Sequence, residues 1–125
     1  APFDLYWLEV ESLDPDALLA AREQTTTRLC HGESLIRREQ FRPFFQKHVT
    51  DIVMLETLSN GFSETRKIAE MAEPYDVMVS PHNWMSPLGT MINAQMILSR
   101  CSRPRIRLCA PGRMRARLRR LATAL

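Results

Sequence analysis

The chain has 125 residues, of which 45% are hydrophobic and 25% are charged, and these proportions suffice for one globular core. No apolar run approaches the roughly 18 residues that a membrane span requires. The first residues have no basic stretch followed by an apolar stretch, so the sequence predicts no secretory signal. The three cysteines form no metal-type cluster, and their odd number indicates free thiols in a reducing compartment, the cytoplasm.

The net charge of +3 conceals an uneven distribution along the chain. Residues 100–125 contain nine arginines and no acidic residue, which leaves eight basic and 14 acidic residues in 1–99. This asymmetry predicts a boundary near Ser99, followed by an arginine-rich extension that is disordered or helical. A surface for nucleic acid or an anionic membrane is the alternative for this extension. Because it has no interleaved aromatic residues, we expect neither a nucleic-acid nor a membrane partner.

Strand-like and helix-like segments alternate through residues 1–99. Asp14 and Pro15 suit the N-cap and first position of a helix, and Pro43 predicts a kink or a restart. Four successive strand–helix units predict an α/β fold with a parallel sheet that is covered on both faces or closed into a barrel. The predicted strands are 5–10, 27–33, 51–56 and 76–80, and the predicted helices are 13–23, 34–48, 63–73 and 86–99.

A charged or titratable residue stands at the carboxyl end of each predicted strand. These residues follow one another at intervals of 24, 23 and 26 positions and are Glu9, Glu33, Glu56 and His82. Neighbouring parallel strands lie about 4.8 Å apart, so the four side chains are expected at one rim, where α/β sheets and barrels place active sites. The alternative for each residue alone is a loop side chain that faces water.

The carboxylates expected at this rim indicate a bound cation. Converging carboxylates repel one another unless a positive charge lies among them, and Mg²⁺ prefers carboxylate oxygens and waters, so Glu9 and Glu33 are candidate metal ligands. His82 can accept a proton near neutral pH, and a carboxylate beside it, from Glu56, fixes its tautomer. This combination favours removal of a proton next to a substrate carboxylate, with the enediolate stabilised by the metal.

Four segments, "YWLE", "HGES", "DIVMLETLSNG" and "SPHN", resemble in order and spacing the C-terminal half of the barrel in the enolase superfamily. The resemblance covers residues 5–98 and is to the mandelate racemase and muconate lactonizing enzyme type, which includes acid-sugar dehydratases. It implies that 1–99 forms about half of a TIM-type (β/α) barrel domain. It also implies that Glu9 and Glu33 are the second and third Mg²⁺ ligands, while His82 and Glu56 form the catalytic pair.

Two departures accompany this resemblance. Glu56 stands where the family commonly has Asp, and the strand with the first metal ligand would precede Ala1.

The implied activity is Mg²⁺-dependent dehydration of a sugar acid, a lyase reaction on a small-molecule carboxylate. The alternatives are a racemase or epimerase of the same superfamily, or an inactive fragment that serves as an interaction module.

Three further expectations follow from these residues. Half a barrel exposes two strand edges, so we expect a homo-oligomer or a complementary chain to cover them. His31 is expected to contact substrate or to lie at the rim without a role. Trp84 is expected to pack in the core or to line a pocket.

Overall fold

Four parallel strands alternate with helices, as the sequence predicts. The computed structural model describes residues 5–84 and 86–101, the last two without their side chains. Most of the predicted arginine-rich extension therefore lies outside the described residues. The elements are β1 (Leu8–Glu9), α1 (Pro15–Glu23), β2 (Leu29–His31), α2 (Arg37–Gln46), β3 (Ile52–Glu56), α3 (Thr57–Asn60), α4 (Phe62–Ala72), a 3-10 turn (Glu73–Tyr75), β4 (Met78–His82) and α5 (Pro87–Cys101).

The four strands form one sheet in the order β1-β2-β3-β4, and every pair is parallel. Alternate side chains of a strand point to opposite faces. Val53 and Leu55 of β3 belong to the large core under the helices, which includes Phe41 and Phe45 of α2. Ile52 and Met54 face the other way. The predicted partial (β/α) barrel is confirmed.

Helix α1 begins as predicted, whereas α2 differs from the prediction. The side chain of Asp14 accepts a hydrogen bond from the Asp16 amide at 2.9 Å, and Pro15 lies in the first turn. Helix α2 begins at Arg37, three residues later than predicted, and continues through Pro43 without the predicted restart. Phe44 and Phe45 are buried directly after the proline, so core packing on both sides of it stabilises one continuous helix.

Two features near the carboxyl ends of the strands, the extension of β4 and the helix α3, were not predicted. Strand β4 was expected to end at Ser80 but reaches His82, because its pairing with β3 continues to the last residue. Pro81 is tolerated there since β4 is an edge strand of the described sheet, where a missing amide hydrogen costs no ladder bond. The short helix α3 follows β3 directly, and the Glu56 carboxylate caps it.

An ion pair joins α2 to α4. Arg38 donates from Nε to Oε1 of Glu64 at 2.8 Å and from its backbone amide at 3.2 Å. The side-chain hydrogen bond from Arg38 lowers the pKa of the Glu64 carboxyl below its ordinary value of 4.5. Because folding lowers this pKa, the ionised Glu64 carboxyl stabilises the folded protein at pH values above 4.5. This stabilisation is lost as the pH falls through the lowered pKa of the folded protein.

Within residues 5–84 and 86–101, no helix combines the length and apolar character needed to traverse a membrane.

Asp51 connects three elements at the amino end of the sheet. Its carboxylate binds the guanidinium of Arg22 from α1 and accepts from the Leu29 amide of β2 at 2.8 Å. We predict that Asp51→Ala lowers the free energy of unfolding by about 1–3 kcal/mol, because both donors lose their acceptor. Urea denaturation measures this change. Glu39→Ala removes an exposed carboxylate of α2 and serves as the control, and an equal effect of both substitutions would contradict the prediction.

Candidate active site

The last register pair of β3 and β4 brings a carboxylate and an imidazole together. Glu56 lies opposite His82, and its Oε2 is 3.0 Å from Nδ1 of the ring. Glu56 is only 3% exposed. Its other oxygen accepts from the Leu58 amide at 3.0 Å, so the carboxylate is held at two points. A carboxylate fixed in this way orients the imidazole beside it.

A second carboxylate reaches the opposite side of the same ring. Oε2 of Glu33, which follows β2, lies 2.8 Å from Nε2 of His82. The imidazole therefore lies between two carboxylates from two other strand ends. Both contacts are donated hydrogen bonds only when the ring carries a proton on each nitrogen. The three side chains form one cluster at the rim where the sequence predicts a site.

The turn before Glu33 requires a glycine. Gly32 has φ of 118°, in the region that residues with a side chain rarely adopt. A Cβ atom at this position would lie 3.0 Å from the Phe41 ring and 3.1 Å from the Met54 carbonyl oxygen. The backbone can therefore approach the sheet closely here and bring Glu33 over its edge.

Among the described residues, no hydrogen bond or ion pair joins the side chain of Glu9 to this cluster. Glu9 ends β1, is exposed, and pairs in register with Cys30. The described residues also include no group of three or more His, Cys, Asp or Glu side chains arranged to hold a metal ion. Glu9 and Glu33 supply oxygen ligands of the kind that Mg²⁺ prefers, on neighbouring strands, so they fit part of a magnesium site without forming one by themselves.

Three polar residues that support the cluster were not predicted to be functional. Asn93 of α5 donates from Nδ2 to the His82 carbonyl at 2.7 Å. Asn60 donates to the Glu56 carbonyl at 3.2 Å and accepts from the Arg37 amide at 2.8 Å. Glu11 accepts from two amides of the turn that carries Glu33. Of these three residues, only Asn60 lies in one of the four family-like motifs, "DIVMLETLSNG". Asn93 and Glu11 act through contacts with backbone atoms that are distant in the sequence.

His31 is buried, whereas Trp84 is exposed to solvent. His31 is 1% exposed, with Nε2 2.6 Å from the Ser12 carbonyl oxygen and its ring stacked on Phe44. It links the loop after β1 to the core, and this burial favours the alternative in which His31 has no role in substrate contact. Trp84 is 75% exposed, so it does not pack in the core. Its role in lining a pocket stays a prediction.

Comparisons with known proteins identify the family. A sequence profile described as enolase C-terminal domain-like matches residues 1–116. The chain belongs to this family of the enolase superfamily. The resemblance of the four motifs to this superfamily is therefore confirmed.

Several enolase-superfamily relatives are similar over most of the chain. A D-xylonate dehydratase of Haloferax volcanii is 35% identical over 97 residues, which are 75% of this chain and 24% of the relative. A solved structure from Burkholderia xenovorans strain LB400, provisionally named an L-alanine-DL-glutamate epimerase and bound to magnesium and fumarate, is 34% identical with a TM-score of 0.76. It is matched over 85% of this chain and 26% of its own.

A third similar protein carries the name of the predicted branch. The mandelate racemase/muconate lactonizing enzyme-like protein of Rubrobacter xylanophilus DSM 9941 is 37% identical with a TM-score of 0.71, over 77% of this chain and 25% of its own. The chain thus spans about a quarter of the length of these relatives. Dehydratases and epimerases both occur among them.

Two glycines allow a controlled test of the turn before Glu33. Gly32 and Gly61 both have positive φ, but a Cβ at Gly61 would meet nothing within 4 Å. We predict that Gly61→Ala costs about 1–3 kcal/mol through backbone strain alone. Gly32→Ala costs more, because the Phe41 ring and the Met54 backbone also have to move. Urea denaturation of both variants measures the difference, and equal losses of stability would contradict the crowded turn.

Asn93 allows a second test at the His82 backbone. We predict that Asn93→Asp lowers the free energy of unfolding by about 1–3 kcal/mol, since a carboxylate cannot donate to the His82 carbonyl and is buried instead. Gln95→Glu makes the corresponding change at an exposed position of the same helix and serves as the control. The prediction is wrong if urea denaturation gives the same midpoint for both variants.

Proposed function

We propose that this chain contributes the proton-transfer residues and two metal-binding carboxylates of an acid-sugar dehydratase. The single observation that carries the proposal is the placement of His82 between Glu56 and Glu33 at one rim of a parallel sheet. The D-xylonate dehydratase relative supports the reaction class, so a sugar acid such as D-xylonate is the proposed substrate.

In the proposed reaction His82 moves the proton. Glu56 accepts a hydrogen bond from Nδ1, which leaves the lone pair of Nε2 to take the proton from the carbon next to the substrate carboxylate. Glu33 faces the same nitrogen and has to release it before the substrate can approach. The proton on Nε2 then goes to the departing hydroxyl of the adjacent carbon. Water leaves, and the resulting enol tautomerises to a 2-keto-3-deoxy acid.

The proposed cofactor is Mg²⁺, with Glu9 and Glu33 among its ligands. When bound, Mg²⁺ would neutralise the substrate carboxylate and stabilise the charge of the enediolate. The Burkholderia relative, which is bound to magnesium and the dicarboxylate fumarate, supports this choice of metal and of ligand class. The cluster of acidic side chains at this rim is itself favourable for a divalent cation.

An epimerase or racemase is the second candidate, and the provisional name of the Burkholderia relative favours it. Both reactions begin with the same proton removal and differ in whether a hydroxyl leaves. An interaction module without turnover is the third candidate, because the chain spans about a quarter of its relatives.

We also propose a cytoplasmic location and a partner that covers the open sheet. Strands β1 and β4 are the edges of the described sheet, and unpaired edges bind further strands. The partner is a second copy or a complementary chain with its own parallel strands.

One experiment separates the three candidates. The protein is incubated with Mg²⁺ and D-xylonate or other sugar acids in D₂O, and NMR follows solvent exchange of the proton next to the carboxylate, inversion at that carbon, and 2-keto acid formation. We predict 2-keto acid formation, reduced roughly 100- to 10,000-fold by His82→Asn because the proton acceptor is lost. His48→Asn is the control, since His48 is exposed and has a positive φ that Asn tolerates.

The other outcomes are equally informative. Exchange with inversion and without water loss would favour the epimerase and overturn the dehydratase. A folded chain that exchanges no proton with any sugar acid would favour the interaction module and overturn both enzymatic candidates. Calorimetric titration with Mg²⁺ tests the metal separately: Glu33→Gln weakens binding, whereas Glu39→Gln, on the exposed face of α2, does not.

A further inference from the structure

Glu11 lies in the loop between β1 and α1 and reaches across to the turn after β2. Its Oε1 accepts hydrogen bonds from the Gly32 amide at 2.8 Å and from the Glu33 amide at 3.2 Å. Neither the predicted ligand set nor the predicted catalytic pair includes this residue. One carboxylate oxygen therefore holds two successive backbone amides of the segment that carries Glu33.

This contact completes the restraint on the turn. On the core side, a Cβ atom at Gly32 would lie only 3.0 Å from the Phe41 ring and 3.1 Å from the Met54 carbonyl oxygen, so these neighbours would have to shift. On the outer side, Glu11 supplies the acceptor for both amides. The turn is held from two sides, and the side chain of Glu33 leaves the backbone next to the amide that Glu11 binds. The position of that backbone determines whether the Glu33 carboxylate reaches Nε2 of His82, 2.8 Å away.

The charges explain how two carboxylates can share this small region. Successive backbone amides that point to one place form a natural anion site, so the negative charge of Glu11 is compensated by the peptide groups it binds. Hydrogen bonds with a charged acceptor are roughly twice as strong as neutral ones. Glu11 can therefore hold the turn while Glu33 keeps its own carboxylate for His82.

We propose that Glu11 is a positioning residue: by holding the backbone of the turn after β2, it places the Glu33 carboxylate beside His82 in the protein without metal or substrate. The importance of this contact for catalysis rests on the proposed function, but the contact itself does not. A test that measures the contact directly therefore separates the two.

The test uses the ¹⁵N chemical shift of His82 Nε2, measured by NMR at one fixed pH without metal or substrate. Glu33→Gln defines the shift of a ring that has lost the carboxylate. We expect Glu11→Leu and Glu11→Ala to move Nε2 most of the way to that value, because both remove the acceptor of the two amides. Glu11→Gln keeps an oxygen at the same position and should leave the shift near that of the parent protein.

If Glu11 had a merely structural role, its substitutions would lower the free energy of unfolding without moving the Nε2 shift in this pattern. Glu39→Leu makes the same substitution on the exposed face of α2 and should leave the Nε2 shift unchanged. The proposal is overturned if Glu11→Leu and Glu11→Ala give the parent shift, or if Glu11→Gln moves it as far as they do. The comparison does not measure dehydratase activity, so its outcome is the same whether or not the proposed substrate class is correct.

Discussion

The parallel register between β3 and β4 is the constraint on which the candidate site depends. Five residue pairs run from Ile52 opposite Met78 to Glu56 opposite His82. A slip by one residue would turn either side chain to the opposite face of the sheet. The buried side chains of Val53, Leu55 and Val79 fix this register, since a slip would also expose the core under the helices. Core packing therefore determines that the Glu56 carboxylate and the His82 imidazole lie side by side.

Above the sheet, polar side chains direct their hydrogen bonds to the backbone of the rim. Glu56 caps α3, Asn60 joins the end of β3 to the start of α2, and Asn93 holds the carbonyl of His82. Glu11 does the same for the turn after β2. Each contact restrains backbone near the carboxyl ends of the strands, at a strand end, a helix start or a turn. Residues outside the imidazole–carboxylate pair thus hold the backbone that carries this pair.

The two faces of the sheet differ in the size of the apolar cluster that they carry. The helix-covered face holds the large core, whereas the other face carries the small cluster of Cys30, Ile52 and Met54, with Trp7 and Met78 beside it. Such a small cluster offers little apolar surface to close a barrel interior. The chain spans about a quarter of its relatives, in which dehydratase and epimerase names both occur. Proton removal next to a carboxylate is the chemistry that these reactions share.

The sequence by itself determined the order of strands and helices, the parallel sheet, and the clustering of Glu33, Glu56 and His82, because hydrophobic periodicity and strand ends are local properties. It also carried the motifs of the enolase superfamily. It could not predict that β4 would continue through Pro81 or that α3 would follow β3, because these depend on the pairing of β4 with β3 and on the position of the Glu56 carboxylate. The roles of Glu11 and Asn93 were decided by the tertiary structure alone. Each binds backbone atoms that are 11 or more positions away in the chain, and such a contact leaves no periodic trace in the sequence.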